Sequence, residues 1–104
     1  AKTEAVVGSE AVESIKKLNF TKSFIGANGI HPLHGFTTVD TDEAMLKKEA
    51  VNHSYVSYVL ADHTKFGKVT AVTFAPLEKA CIVTDGIVKD KYKELTLIKE
   101  VHVE

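Results

Sequence analysis

Arginine is absent from the 104 residues, cysteine occurs once, and no apolar run approaches the length of a membrane span. Each absence removes a class of function. Thirteen lysines supply all the basic charge against fourteen acidic residues, for a formal charge of -1. They are scattered along the chain, so no basic patch for a nucleic-acid backbone is expected. The single cysteine, Cys81, cannot form an internal disulfide. Set inside the apolar residues 80–84, it reads as a small buried hydrophobe rather than a reactive thiol, which fits a reducing cytoplasm. A spanning helix needs roughly 18 apolar residues, and the first residues show neither the basic nor the apolar part of a secretory signal. A cytoplasmic location without a membrane partner is therefore expected.

Catalytic signatures are missing as well. There is no G-x-S-x-G, no Walker loop, no G-x-G-x-x-G and no Cys/His nucleophile arrangement. The histidines His31, His34, His53, His63 and His102 lack the compact spacing of a zinc site, so neither a metal nor a cofactor is expected.

What is present is the composition of one soluble domain, 44% hydrophobic and 26% charged. The chain opens Ala1-Lys2-Thr3-Glu4 without Met and enters helical patterning almost at once, so it reads as a segment of a longer protein. Ala11, Val12, Ile15 and Leu18 recur at helical spacing, with Ser9 available as an N-cap and Asn19 as a stop. Residues 20–25 read as a strand running into Gly26-Ala27-Asn28-Gly29. Residues 30–38, with Pro32, Gly35 and two histidines, show no period and read as a long connection. Asp40 and Glu43 form a capping-box pattern that starts a second helix, carried to about His53.

Residues 55–61 are a nearly continuous β-prone run, as expected of a strand buried on both faces of a parallel sheet. They end in Asp62-His63-Thr64-Lys65. Further strands are expected over 69–74, 80–84 and 97–103, and a helix over 88–95. Alternating strands and helices predict a layered α/β fold with a mainly parallel sheet.

In such sheets ligands bind beyond the carboxyl ends of the strands, and two polar clusters occupy those positions. Gly26-Ala27-Asn28-Gly29 with Gly35-Phe36-Thr37-Thr38 offers backbone amides and hydroxyls that could cradle a phosphate; equally, the glycines serve tight turns. Asp62-His63-Thr64-Lys65 could bind a polar ligand, or be a solvated turn with an Asp cap. Glu43 and Lys47, four apart, could both face a site or form an ordinary helical ion pair.

The ordered motifs Phe24-Ile25-Gly26-Ala27-Asn28-Gly29-Ile30, Gly35-Phe36-Thr37-Thr38, Glu43-Ala44-Met45-Leu46-Lys47 and Leu60-Ala61-Asp62-His63-Thr64-Lys65-Phe66-Gly67 resemble the C-terminal sensor domain of the DeoR family of bacterial sugar-metabolism repressors. The similarity extends to the Thr-x-x-x-Val-Gly of residues 3–8 and to Ile82-Val83-Thr84-Asp85. It implies an α/β/α fold like that of ribose-5-phosphate isomerases and CoA transferases, here incomplete at its N-terminal side. The chain would then be the C-terminal part of a sugar-phosphate-sensing domain, separated from the helix-turn-helix that contacts operator DNA.

The isomerases' matching loop reads Gly-Ala-Asp-Glu and carries a catalytic acid, whereas here Asn28 and Gly29 stand in its place. An amide neither takes nor releases a proton near neutral pH, so a regulator is expected and a divergent phosphosugar isomerase is the alternative. The resemblance implies that Lys47 and Lys65 line the effector cleft and that Asn28, Thr37 and Thr38 contact sugar hydroxyls or phosphate. Gly26, Gly29, Glu43 and Asp62 complete the candidate set, and the assembly implied is a homo-oligomer.

Overall fold

The computed structural model describes residues 9–86 and 88–101. Its elements run α1 (Ser9–Lys16), β1 (Phe20–Gly26), β2 (Gly29–His31), β3 (Gly35–Thr38), α2 (Thr41–Asn52), β4 (Ser54–Leu60), β5 (Val72–Ala75), β6 (Cys81–Asp85), α3 (Asp90–Lys93) and β7 (Ile98–Val101). Single 3-10 turns occupy His63–Lys65 and Leu77–Lys79.

Two sheets result. The larger has four parallel strands in the order β1-β4-β6-β7, and the smaller has three antiparallel strands in the order β2-β3-β5. This is the α/β fold with a mainly parallel sheet that the sequence predicts. In the large sheet the register places Ile25 beside Val59 and Val59 beside Ile82, so these three share one face. Ala44 and Val51 of α2 and Phe36 and Phe74 of the small sheet join them in one buried cluster, with Val59, Ile82 and Phe36 fully buried. Removing such apolar area from water is the main stabilising term.

Helix α2 starts where its cap predicts. Asp40 has extended backbone angles and its carboxylate accepts the Glu43 N–H at 3.0 Å, satisfying one of the amides a helix leaves without a partner. The box is not reciprocal in its side chains, because the Glu43 carboxylate turns toward Thr38 and Lys47. Helix α1 ends at Lys16, packs against α2 and buries Val12, while Leu18 beyond its end is exposed. The expected Ser9 cap cannot be placed, since that side chain and residues 3–8 lie outside the described residues.

Four local expectations are corrected. Residues 30–38 are no plain connection but the β2–β3 hairpin, with Ile30 opposite Phe36. Every residue of β3 is buried, so it shows no alternation, and its other partner is the distant β5. Strand β4 is not buried on both faces: Ser57 and Val59 are enclosed while Tyr55 and Leu60 are exposed. The strand expected over 69–74 forms at Val72–Ala75, set by its pairing with β3. The helix expected over 88–95 is only the turn Asp90–Lys93, anchored by buried Tyr92 edge-on to Phe66 at 4.8 Å. The last strand is Ile98–Val101, with exposed Leu97 just before it, and residues 102–103 of the expected run lie outside the described residues.

Candidate effector site at the strand ends

Strands β1, β4 and β6 deliver their polar ends side by side. Gly26 pairs with Leu60, so Asn28 and Asp62 each stand two positions beyond a matched pair on strands about 4.8 Å apart. Asp85 closes β6 on the far side of β4.

Around β1, five of the expected residues form one connected group. Lys47 Nζ donates to the Gly26 carbonyl at 2.8 Å, lies 3.7 Å from Glu43 Oε1 and sits 5.5 Å from the centre of the Phe74 ring. Burial holds its ammonium below the ordinary lysine range, an effect that the charge and hydrogen bond of Glu43 oppose. The Thr38 hydroxyl has Asn28 Oδ1 at 2.9 Å and Glu43 Oε1 at 3.3 Å. One proton serves one acceptor well, so the half-exposed Glu43 carboxylate keeps accepting capacity toward the surface. Asn28 is itself exposed. The group therefore gathers an amide, a carboxylate and a partly desolvated ammonium around the Thr38 hydroxyl and the Gly26 carbonyl.

Two expected residues sit behind this surface. Thr37 is fully buried, and its Oγ1 accepts the Thr70 N–H at 3.0 Å and lies 2.9 Å from the Thr70 hydroxyl. A Cβ on Gly29 would come within 2.5 Å of both the Lys68 carbonyl oxygen and Thr37 Oγ1, so the residue is glycine for close packing. These positions shape the site from within.

The β4 end is a capped turn. Asp62 accepts the Thr64 N–H at 2.9 Å and the Thr64 hydroxyl, and these bonds hold its carboxyl below the ordinary range. Lys65 closes the same turn through its N–H to the Asp62 carbonyl at 3.1 Å. The loop is then pinned to the β1 side by the Gly67 N–H donating to the Ile30 carbonyl at 2.7 Å.

The sequence reading missed a pair next to this turn. Asp85 Oδ1 accepts the His63 N–H at 2.7 Å and lies 3.1 Å from His63 Nδ1, and the backbone bond foremost holds the Asp85 carboxyl low. Its signal was available, since Asp85 ends an apolar run as Asp62 does. A cavity of about 250 Å³ opens beside it, lined by His63, Phe66, Gly67, Val88, Lys89, Lys91 and Tyr92. Among the described residues no group of His, Cys, Asp or Glu could hold a metal ion. No helix among them is long and apolar enough to cross a membrane.

The profile of the DeoR C terminal sensor domain matches residues 1–86. The chain is 40% identical over 103 residues to an HTH-type transcriptional regulator of Bacillus subtilis, FruR, covering 96% of this chain and 41% of that protein. It is 38% identical over 94 residues to the HTH-type transcriptional regulator IolR of the same species, covering 89% and 38%. To the lactose phosphotransferase system repressor of Staphylococcus aureus it is 34% identical over 100 residues, covering 95% and 39%. The chain thus spans about two fifths of the length of these relatives, which are named as regulators and repressors rather than enzymes. The family match and these relatives show that this chain belongs to the DeoR family, as part of its C-terminal sensor domain.

Proposed function

We propose that the chain binds a phosphorylated sugar and is the C-terminal part of the sensing domain of a regulator of carbohydrate metabolism. The observation that carries this reading is Lys47, half-buried against the Gly26 carbonyl beside Asn28 and Glu43. An ammonium that has already lost part of its water attracts a phosphate more strongly than a fully solvated one. Asn28 and Glu43 supply the acceptors that sugar hydroxyls need, and Lys65 on the neighbouring strand end supplies a second cation. The phosphotransferase system in the name of the staphylococcal relative supports a sugar-derived effector.

In this reading operator DNA is contacted by a helix-turn-helix elsewhere in the regulator, which acts as a homo-oligomer, and the effector shifts the balance between its DNA-competent and incompetent states. Such coupling is typically about 1 to 3 kcal/mol.

Thermal unfolding against a panel of pentose and hexose phosphates and their unphosphorylated parents tests the reading. A ligand at a hundred times its dissociation constant stabilises by about 2.7 kcal/mol. Stabilisation by one phosphosugar, lost in Lys65→Ala, is expected; no response to any of them, or a response indifferent to that change, would overturn the assignment.

A further inference from the structure

The cavity of about 250 Å³ beside His63 lies between the 62–67 turn and α3, and none of Asn28, Thr38, Glu43 or Lys47 lines it. Its far wall, made by Val88, Lys89, Lys91 and Tyr92, falls beyond the residues 1–86 that the family profile matches, so membership of the family does not account for it. A larger opening of about 350 Å³ sits at the opposite ends of the strands, where Ser54 begins β4 and Cys81 begins β6. Its charged lining is one acid, Glu78, and one base, Lys79, so it favours neither sign of ligand.

The smaller cavity does favour one sign. His63, Lys89 and Lys91 line it and no carboxylate does. The acids close by are engaged elsewhere: Asp85 accepts the His63 N–H, and Glu100 accepts the Val88 N–H at 2.8 Å and lies 3.3 Å from Lys93 Nζ. Among the described residues neither Lys89 nor Lys91 is held in an ion pair. Lys91 Nζ stands 5.4 Å from the centre of the Tyr92 ring, which meets Phe66 edge-on, so an aromatic floor joins the two walls beneath the cations.

Asp85 also sets the role of the His63 ring. A carboxylate only accepts, so the nitrogen facing it, Nδ1, carries the proton and Nε2 is left over. Nε2 can accept the hydrogen of a monoprotonated phosphate, or donate to a dianion once the ring is charged. Size narrows the ligand further. Drug-sized molecules occupy roughly 300 to 1,000 Å³, so this cavity takes an ion or one end of a longer molecule. A phosphate group offers a separate oxygen to each of the three bases, and lysine binds it as a point charge.

We propose that this cavity is a second anion site, which seats a phosphate group between His63, Lys89 and Lys91. That phosphate is either inorganic or the far end of a bisphosphorylated sugar whose other end lies at Lys47. Gly26, Leu60 and Val83 form one matched row, and Asn28 and Asp85 each stand two positions beyond it with one strand between them. They are therefore roughly 10 Å apart, close to the length of an extended hexose with a phosphate at each end, about 11 Å. The bisphosphate source rests on the reading above that Lys47 holds a phosphosugar; the inorganic source does not.

Titration calorimetry of the intact regulator tests the site, with inorganic phosphate, a hexose monophosphate and the matching bisphosphate added separately at constant ionic strength. Lys89 and Lys91 are exposed, so Lys89→Gln combined with Lys91→Gln should keep the fold, which its melting temperature checks. In this double variant we expect phosphate binding, or the preference for bisphosphate over monophosphate, to weaken at least about tenfold, the loss of one charged hydrogen bond. Lys89→Arg with Lys91→Arg should retain it. A loss seen with inorganic phosphate identifies a free anion, and a loss confined to the bisphosphate identifies the far end of the sugar. Lys93→Gln removes a charge from the same helix outside the cavity, and an equal loss there would overturn the proposal. So would binding and preference that the double variant leaves unchanged, or the absence of both in the parent. If inorganic phosphate binds through these lysines while no sugar phosphate binds at all, the Lys47 reading fails and this site stands.

Discussion

Lys47 Nζ donates to the carbonyl of Gly26 at 2.8 Å, tying α2 to the C-terminal end of β1. One bond thus fixes both the helix that covers the core and the loop that carries Asn28. A charged hydrogen bond of this kind contributes about 1.5 to 3 kcal/mol, and the cost of half-burying the ammonium offsets part of it. Lys47→Met removes both. Its stability is expected to stay within about 1 kcal/mol of the parent, while stabilisation by the phosphosugar disappears; urea unfolding with and without the ligand measures the two separately.

Gly29→Ala is expected to destabilise by about 1 to 3 kcal/mol. The added methyl meets the Lys68 carbonyl oxygen and Thr37 Oγ1, each at 2.5 Å, and backbone cannot give way as a flexible side chain can. A melting temperature equal to the parent's would show that the loop relaxes and that the packing reason is wrong.

Thr37→Val keeps the shape and removes the acceptor. The Thr70 N–H and hydroxyl lose their partner in a part-buried setting, and such an orphaned donor costs about 1 to 3 kcal/mol. Since the Thr37 side chain is fully buried, ligand affinity should follow only the fraction folded. An affinity loss beyond that would place Thr37 at the ligand.

Asp62 governs a pH response. Bonds from Thr64 hold its carboxyl below the usual 3.8, so the unfolded chain takes up the proton first as acid is added. Its contribution to stability is present above about pH 3.8 and is lost as the pH falls through the lower folded value. In Asp62→Asn that part of the acid dependence should vanish. Urea midpoints taken at steps from about pH 6 to pH 2 compare the slopes, and parallel slopes in the two proteins would contradict the capped-turn account. The Asp85 carboxyl, also held low, continues to contribute in both.

The features readable from the sequence are those decided locally. The Asp40 cap, the β1 strand before its glycine loop and the β4 run before Asp62 depend on neighbours within a few residues, and each forms where expected. Strand β3 was invisible because full burial erases its alternation and its partner β5 lies far along the chain. Strand β4 shows the opposite case: its pattern is that of a doubly covered strand, while this chain covers one face only. At the site, residue types were legible but depth was not. Thr37 and Thr38 read alike as hydroxyls, and only the fold turns one toward Thr70 and the other toward Asn28 and Glu43.

The pairing of β3 with β5 also bears on how the molecule assembles. Its closest matched residues, Thr38 and Val72, are 34 positions apart, with all of α2 and β4 between them. A two-stranded hairpin alone is marginal in water, so β2–β3 depends on a third strand that reaches it only by closing a loop across α2 and β4. Non-local closure of this kind slows folding and makes it concerted. A nick anywhere between Thr38 and Val72 would separate both sheets' partners at once, and neither half would keep an independent core.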